Sequence, residues 1–179
     1  MKRSLLRVTE EYEEDDLSEK VENKIIDVYE RHVDMVYRIC FSMTGNQQDA
    51  EDIVQAVFIT LLESNQSFMS ADHEKAWLIV TAKNKCIDLH RRWWKKNVVQ
   101  FDSSRMEWFG VDHIQYSDLE DALKKLSSTH RLLLYLHYYE GYKLSEMANM
   151  LNLNLNTVKT KIRSAKKRLR LEIGDDFHG

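Results

Sequence analysis

The chain has 179 residues, 31% of them charged and 43% hydrophobic, with five glycines and no proline. This composition is typical of a water-soluble globular protein, and the scarcity of helix breakers favours helices. No apolar run approaches the roughly 20 residues that span a bilayer, and the N-terminus is a poor signal peptide. We therefore expect a cytoplasmic protein without membrane insertion.

The net charge of −3 conceals a strong segregation of charge along the sequence. Residues 10–22 hold eight acids and one base, and residues 101–121 hold six acids and one base. By contrast, residues 83–96 hold six bases and one acid, and residues 147–171 hold seven bases and no acid. Two basic blocks separated by acidic ones indicate two polyanion-binding surfaces, because ordinary solvated helix faces mix the two signs more evenly.

The periodicity of residues 24–96 predicts a helical domain that follows an acidic N-terminal extension, 1–23. Its first strong helix ends at Gly45-Asn46, and a second helix runs over about 47–63. Two adjoining rows form a wide apolar stripe on this second helix: Ile53, Val57 and Leu61, and Val54, Phe58 and Leu62. Small and polar residues then predict a loop over 64–73.

The next helix, over about 74–95, has two faces of different character. Its core stripe consists of Ile79, Ala82, Cys86, Leu89 and Trp93. The opposite face carries an aromatic ring, hydrogen-bonding groups and a cation: Trp77, Thr81, Asn84, Asp88 and Arg91. Trp77 has two interpretations, a half-buried packing residue or a ring on which a base stacks. Cys86 and Cys40 form no CxxC motif and lie on apolar faces, so we expect buried thiols and no metal site.

Residues 97–116 lack helical periodicity and predict an acidic, flexible linker. A C-terminal helical domain follows over 117–172, and residues 173–179 form a tail. Within that domain a helix is predicted over about 128–139, with Gly141 suited to the position just past its end. The sequence therefore predicts an all-α fold of two small helical domains joined by a linker.

The segment from Lys143 to Arg170 has the spacing of a helix-turn-helix. Asn152 lies in the turn, where a left-handed backbone is often needed and asparagine tolerates it. Asn154 or Asn156 is suited to cap the second helix.

The second helix of this motif is apolar on one side and cationic on the other. Its apolar side consists of Val158, Ile162, Ala165 and Leu169. Its opposite side consists of Asn156, Thr160, Arg163, Lys167 and Arg170. Such a helix suits the DNA major groove, where arginine and lysine read guanine edges and threonine contacts a thymine methyl. A basic surface helix that binds nothing is the alternative interpretation.

Three segments resemble the extracytoplasmic-function (ECF) branch of the sigma-70 family of RNA polymerase sigma factors. GNQQDAEDIVQAVF (45–58) is similar to that family's polymerase-binding helix, EKAWLIVTAKNKCIDLHRR (74–92) to its minus-ten segment, and 119–170 to its minus-thirty-five domain. The resemblance implies that 24–96 is sigma region 2 and 117–172 is sigma region 4. It implies a subunit without enzymatic activity, cofactor or metal, which binds core RNA polymerase (its β′ and β subunits) and promoter DNA, opens the DNA and directs promoter-specific initiation. An anti-sigma factor is a further implied partner.

The resemblance also assigns roles to individual residues. The positions that face polymerase are Asp49, Glu51, Asp52 and Gln55. The positions at the minus-ten element are Trp77, Thr81 and Asn84, with the neighbouring bases Lys85, Arg91 and Arg92, while the loop 64–73 captures a flipped base. The positions in the minus-thirty-five groove are Asn156, Lys159, Thr160, Arg163, Ser164 and Lys167. Two positions depart from the family: Ser127 replaces a frequent proline, and Ser164 replaces a frequent arginine and so removes one cation.

Two other functions account for parts of the sequence. A response regulator or repressor would explain the helix-turn-helix but neither of the two N-terminal motifs. A metal-dependent nuclease would use Asp49, Glu51 and Asp52, but helical spacing spreads these three acids around the helix instead of converging them.

Overall fold

The structure, a computed structural model, describes residues 24–64, 66–96 and 117–173. The helices within these ranges are α1 (24–44), α2 (Gln47–Glu63), α3 (Ala71–Lys96), α4 (Ser117–Lys124), α5 (Ser128–Leu134), α6 (Leu144–Met150) and α7 (Leu155–Ile173). The described residues include no strand. The predicted all-α class with two helical domains is confirmed, whereas the predicted acidic extension and linker lie outside the described residues.

Helices α1 to α3 form what we call the N-terminal bundle. Gly45 ends α1 with a φ of +70°, which glycine adopts without strain. Asn46 then caps α2, because its side-chain oxygen accepts a hydrogen bond (2.9 Å) from the backbone N–H of Asp49. The buried core is formed by Val36, Ile39, Cys40, Met43, Ile53, Val54, Val57, Phe58, Leu61, Leu78, Ile79, Ala82 and Cys86.

Two details of this bundle differ from the prediction. The loop after α2 is shorter than 64–73, because α3 already begins at Ala71. Ser70 explains the earlier start, since its hydroxyl accepts a hydrogen bond (3.1 Å) from the backbone N–H of His73 and so satisfies a donor of the first turn. Leu62, which we assigned to the apolar stripe of α2, is 50% exposed.

The N-terminal bundle also buries a charged group and two thiols. Glu74 is 7% exposed, and its Oε1 is paired with both Arg31 (3.0 Å) and His32 (2.9 Å) of α1, so that the buried carboxylate is compensated. Cys40 and Cys86 are free and buried, as predicted. The Cys40 thiol donates a hydrogen bond to Cys86, and this bond and the burial of the site together raise the pKa of Cys40.

Helices α4 to α7 form the C-terminal bundle, in which α7 packs against α4, α5 and α6. Ser127 caps α5 by accepting a hydrogen bond (3.4 Å) from the backbone N–H of His130, so serine replaces the family's proline without loss of the helix start. α5 continues as a π-helical turn, Tyr135–Tyr139, and Gly141 follows with a φ of +75°. The buried core consists of Ala122, Leu126, Leu132, Leu133, Leu136, Met147, Ala148, Leu151, Val158, Ile162 and Ala165.

The helix-turn-helix is formed by α6 and α7. Asn152 has a φ of +53°, which confirms the left-handed turn expected at this asparagine. Asn154, not Asn156, caps α7: its side-chain oxygen accepts a hydrogen bond (2.8 Å) from the backbone N–H of Asn156. The predicted apolar side of α7 faces inward, with Val158, Ile162 and Ala165 buried.

Candidate polymerase and DNA interfaces

The first candidate surface is the outer face of α2. Glu51, Asp52 and Gln55 are exposed and lie on the same side of this helix. Glu51 also accepts a hydrogen bond (2.8 Å) from the side chain of Gln47. Asp49 is only half-exposed and lies at the edge of this face. Its burial and the nearby Asp52 carboxylate raise the pKa of Asp49, although His90 acts in the opposite direction. The structure thus brings three of the four predicted residues together.

Two apolar residues on this outer face were not predicted as functional. Ile59 is 52% exposed and Leu62 is 50% exposed, although both are large and hydrophobic. They follow Gln55 at spacings of four and seven residues, which places them on the same side of the helix as the acids. This spacing was the signal available in the sequence. The outer face of α2 therefore combines negative charge with an exposed apolar patch.

The second candidate surface lies on α3 and the loop before it. Trp77 is half-buried and packs against the edge of the core. Its ring meets that of Phe68 edge to face, with the centroids 5.9 Å apart, and Phe68 meets His73 in the same way at 5.6 Å. Met69, next to Phe68, is 91% exposed. Phe68 and His73 belong to the segment 64–73 that we predicted to capture a flipped base, but neither was singled out, because a loop aromatic and a helix-start histidine show no periodicity. We call Phe68, His73 and Trp77 the aromatic cluster.

The polar residues predicted on α3 share one side of this helix with Trp77. Asn84, Arg91 and Arg92 are exposed, and Thr81 and Lys85 are half-buried. Arg91 donates a hydrogen bond (2.9 Å) to Asp88, an acid on the same side. The structure therefore brings all six predicted minus-ten residues onto one basic face, which extends from the aromatic cluster towards the end of α3.

The third candidate surface is the outer side of α7. Five of its predicted residues are exposed: Asn156, Lys159, Thr160, Arg163 and Lys167. Ser164 is half-buried at the edge of this side, so a shorter side chain stands where the family often has arginine. The cations of α7 and Leu144 of α6 line a shallow groove beside the helix. Lys166, which we did not predict, lies over the ring of Tyr138, 5.2 Å from its centroid.

A helix-turn-helix with a cationic outer side, beside a second basic face on a separate helical bundle, is typical of a DNA-binding protein. Residues 28–96 match the family model for sigma-70 region 2, and residues 116–169 match that for sigma-70 region 4. The chain belongs to the ECF branch of the sigma-70 family of RNA polymerase sigma factors. It is therefore a factor that directs transcription initiation.

Two curated relatives support this family membership. RNA polymerase sigma factor SigV of Bacillus subtilis is 31% identical over 145 residues, which cover 79% of this chain and 86% of SigV. ECF RNA polymerase sigma factor SigW of the same organism is 30% identical over 169 residues, covering 84% of this chain and 88% of SigW.

Solved structures have the same fold. The sigma factor RpoE of Bartonella quintana, crystallised with the anti-sigma factor NepR, superposes with a TM-score of 0.70 at 20% identity and covers 87% of this chain and 97% of that one. CnrH in complex with the cytosolic domain of CnrY gives a TM-score of 0.60 at 20% identity, covering 87% and 90%. None of the helices that the structure describes is long and apolar enough to cross a membrane.

Proposed function

We propose that this chain binds core RNA polymerase through the outer face of α2, opens and reads the minus-ten element with α3, and reads the minus-thirty-five element with α7. The observation that carries the proposal is the presence of two basic faces on two separate helical bundles, next to an acidic face on α2. The proposed boundaries are 24–96 for the polymerase-binding and minus-ten domain and 117–172 for the minus-thirty-five domain.

The contact with polymerase has an electrostatic and an apolar part. Glu51, Asp52 and Gln55 offer acceptors to cations on the β′ and β subunits, and Ile59 and Leu62 offer apolar area beside them. An apolar centre with a polar rim is how stable protein interfaces are commonly built. Asp49 supports this face from its edge.

Opening of the minus-ten element is assigned to the aromatic cluster and the basic face of α3. Unstacking a base step costs a few kcal/mol, and stacking a base on an aromatic ring returns about 1–3 kcal/mol. Trp77 is the ring for stacking, since Phe68 fixes its orientation and part of its surface stays exposed. The loop before α3 receives the flipped base. Thr81 and Asn84 make polar contacts with the DNA, while Lys85, Arg91 and Arg92 hold phosphates.

Recognition of the minus-thirty-five element is assigned to α7. Arg163 reads a base edge in the major groove, and Thr160 contacts the neighbouring base. Asn156, Lys159 and Lys167 position the helix on the backbone. Ser164 contributes no cation, so this promoter contact is weaker than in family members that have arginine there.

An anti-sigma factor is a further proposed partner. RpoE was crystallised with the anti-sigma factor NepR, and CnrH with the cytosolic domain of CnrY. A protein that works on RNA polymerase acts in the cytoplasm, on the nucleoid.

Run-off transcription with purified core RNA polymerase tests the proposal. Promoters bound in cells, mapped by sequencing, supply the templates, and each is paired with a copy whose upstream element is scrambled. We expect a specific transcript that depends on the chain and is lost on the scrambled template. Binding to duplex DNA without any transcript would favour a repressor, and magnesium-dependent cleavage of the template would favour a nuclease.

A further inference from the structure

Hydrogen bonds tie the loop before α3 to the first turn of this helix. The backbone N–H of Met69 donates a hydrogen bond (3.3 Å) to Nδ1 of His73, and the backbone N–H of His73 donates one (3.1 Å) to the hydroxyl of Ser70. The ring of His73 also meets that of Phe68, with the centroids 5.6 Å apart. His73 is therefore held through both its backbone and its ring, and the loop folds around it.

The contact with Met69 decides which ring nitrogen of His73 carries the proton. A backbone N–H can only donate, so Nδ1 accepts, and in the neutral imidazole the proton then lies on Nε2. None of the residues that the structure describes accepts a hydrogen bond from this Nε2–H. The side chain is only half-buried, so part of its ring is open to a ligand. His73 thus presents one hydrogen-bond donor in a fixed orientation.

The aromatic cluster needs such a group in order to distinguish one base from another. Stacking on Trp77 tolerates any sequence, because every base has an aromatic face. Phe68 has no donor or acceptor, and the indole N–H of Trp77 lies in the plane of its own ring, so it does not point at a base stacked on that ring. His73 precedes Trp77 by four residues, which makes the two side chains neighbours on one side of α3. A base on the ring of Trp77 would have the imidazole of His73 beside its edge.

We propose that His73 determines which base the loop accepts, by donating a hydrogen bond from Nε2 to a carbonyl oxygen on the edge of the flipped base. Cytosine, thymine and guanine carry such an oxygen, whereas adenine offers only ring nitrogens as acceptors. A carbonyl oxygen accepts over a broad range of directions, which suits a donor that cannot turn. This role of His73 rests on the proposed function, in which the loop before α3 receives a flipped base.

Binding of the holoenzyme to pre-opened promoter DNA tests this role. The holoenzyme is core RNA polymerase with the full-length chain, and the DNA has a mismatched bubble over the minus-ten element, so that binding does not include the cost of opening. An abasic site at each position of the element in turn, on either strand, identifies the captured base by the loss of affinity. The four bases are then compared at that position. We expect adenine to bind about tenfold more weakly than the preferred carbonyl-bearing base, which is the size of one hydrogen bond.

Two substitutions separate reading of the base from support of the loop. In His73→Asn the side-chain oxygen can take the place of Nδ1, so the acceptor for Met69 is kept and the donor at Nε2 is lost. In His73→Gln the amide nitrogen reaches the place of Nε2, so the donor is kept. We expect His73→Asn to reduce the discrimination against adenine to less than about twofold, and His73→Gln to retain most of it. The amide resonance of Met69 in the free chain, measured by NMR, shows that the loop contact survives in His73→Asn.

Asp72→Asn is the matched control, because Asp72 is exposed beside His73 and the loss of its charge should strengthen binding to all four DNAs alike. Capture of a base with unchanged discrimination in His73→Asn would overturn the role of His73 alone. An equal loss of discrimination in His73→Gln and His73→Asn would overturn it too, because the imidazole would then only support the loop. If no abasic site weakens binding, the loop captures no base, and that part of the proposed function is lost together with the role of His73.

Discussion

The ring of Phe68 meets the ring of Trp77 edge to face, at an interplanar angle of 63°, and this contact ties the loop before α3 to the helix itself. The geometry is the favoured one for two aromatic rings, and it holds Trp77 at the edge of the core instead of within it. A ring held in this way is pre-organised to receive a base, because its orientation is already fixed before DNA arrives.

Trp77→Ala should therefore impair strand opening more than closed-complex binding. Phe68→Ala should have the same effect to a smaller degree, because it removes only the support of the ring. Permanganate reactivity of thymines in promoter complexes measures opening, and a gel-shift assay measures binding. Ile26→Ala is the control, since Ile26 is an exposed apolar residue of α1, outside the face of α3 that carries Trp77, and should have no effect. Normal permanganate reactivity in the Trp77 variant would exclude the stacking role.

Arg163→Ala should weaken recognition of the minus-thirty-five element by about 1–3 kcal/mol if its guanidinium reads a base edge. Competition between promoter DNA and a copy with a scrambled upstream element measures this loss as a change in specificity. Arg168→Ala removes the same charge on a different side of α7. It should not change the ratio of the affinities for the two DNAs. Equal losses on both DNAs would identify Arg163 as a phosphate contact.

Leu61 and Leu62 are neighbours in α2 with opposite surroundings, 5% and 50% exposed. Leu61→Ala should lower the free energy of unfolding by about 2–5 kcal/mol, because it leaves a cavity in the core. Leu62→Ala should change it by no more than about 0.5 kcal/mol. Urea denaturation gives both values. For binding to core polymerase we expect Leu62→Ala to reduce the affinity of a fully folded protein, and unchanged affinity would remove Leu62 from the interface.

The left-handed backbone at Asn152 makes the turn of the helix-turn-helix sensitive to residue type. Asn152→Gly should leave the free energy of unfolding nearly unchanged. Asn152→Val should lower it by about 1–2 kcal/mol, because the left-handed conformation brings Cβ close to the next carbonyl and valine lacks the local hydrogen bonds with which asparagine offsets this cost. Asn149→Val, in the regular helix α6, is the control and should cost less than about 0.7 kcal/mol. Thermal or urea unfolding compares the three, and equal costs at both asparagines would contradict the strain argument.

The free energy of unfolding should fall on acidification, because His130 takes up a proton less readily in the folded chain than in the unfolded one. Burial and the nearby cations Lys161 and Arg168 lower the pKa of His130 below its ordinary value of 6.5. On acidification the unfolded chain therefore takes up this proton first. The contribution of His130 to the free energy of unfolding is fully present above pH 6.5, and it is lost as the pH falls from there towards the lower folded-state pKa. Urea titrations between about pH 5 and 8 give the free energy of unfolding at each pH. This free energy should depend less steeply on pH in His130→Gln than in the wild type, and an equally steep dependence would refute the assignment.

Features set by local chemistry were predictable from the sequence. The apolar side of α7, the turn at Asn152 and the glycine after α5 follow from spacing and from backbone preferences that act over a few residues. Leu62 was assigned wrongly because hydrophobicity alone does not distinguish a core face from an exposed apolar patch. The contact of Phe68 with Trp77 and the ion pair (2.8 Å) of Lys75 with Glu140 were not predicted, because each joins segments that no local pattern connects.

The π-helical turn Tyr135–Tyr139 has a consequence for the length of this chain. Here the backbone N–H of Glu140 bonds to the carbonyl of Tyr135, five residues back, where an α-helix would reach back four. Deleting one residue would let an ordinary helix continue, but it would rotate Glu140 by about 100° and turn it away from Lys75. The number of residues in this one turn thus decides whether Glu140 can form its ion pair (2.8 Å) with Lys75 of α3, so a change of chain length here would act on a contact between the two bundles.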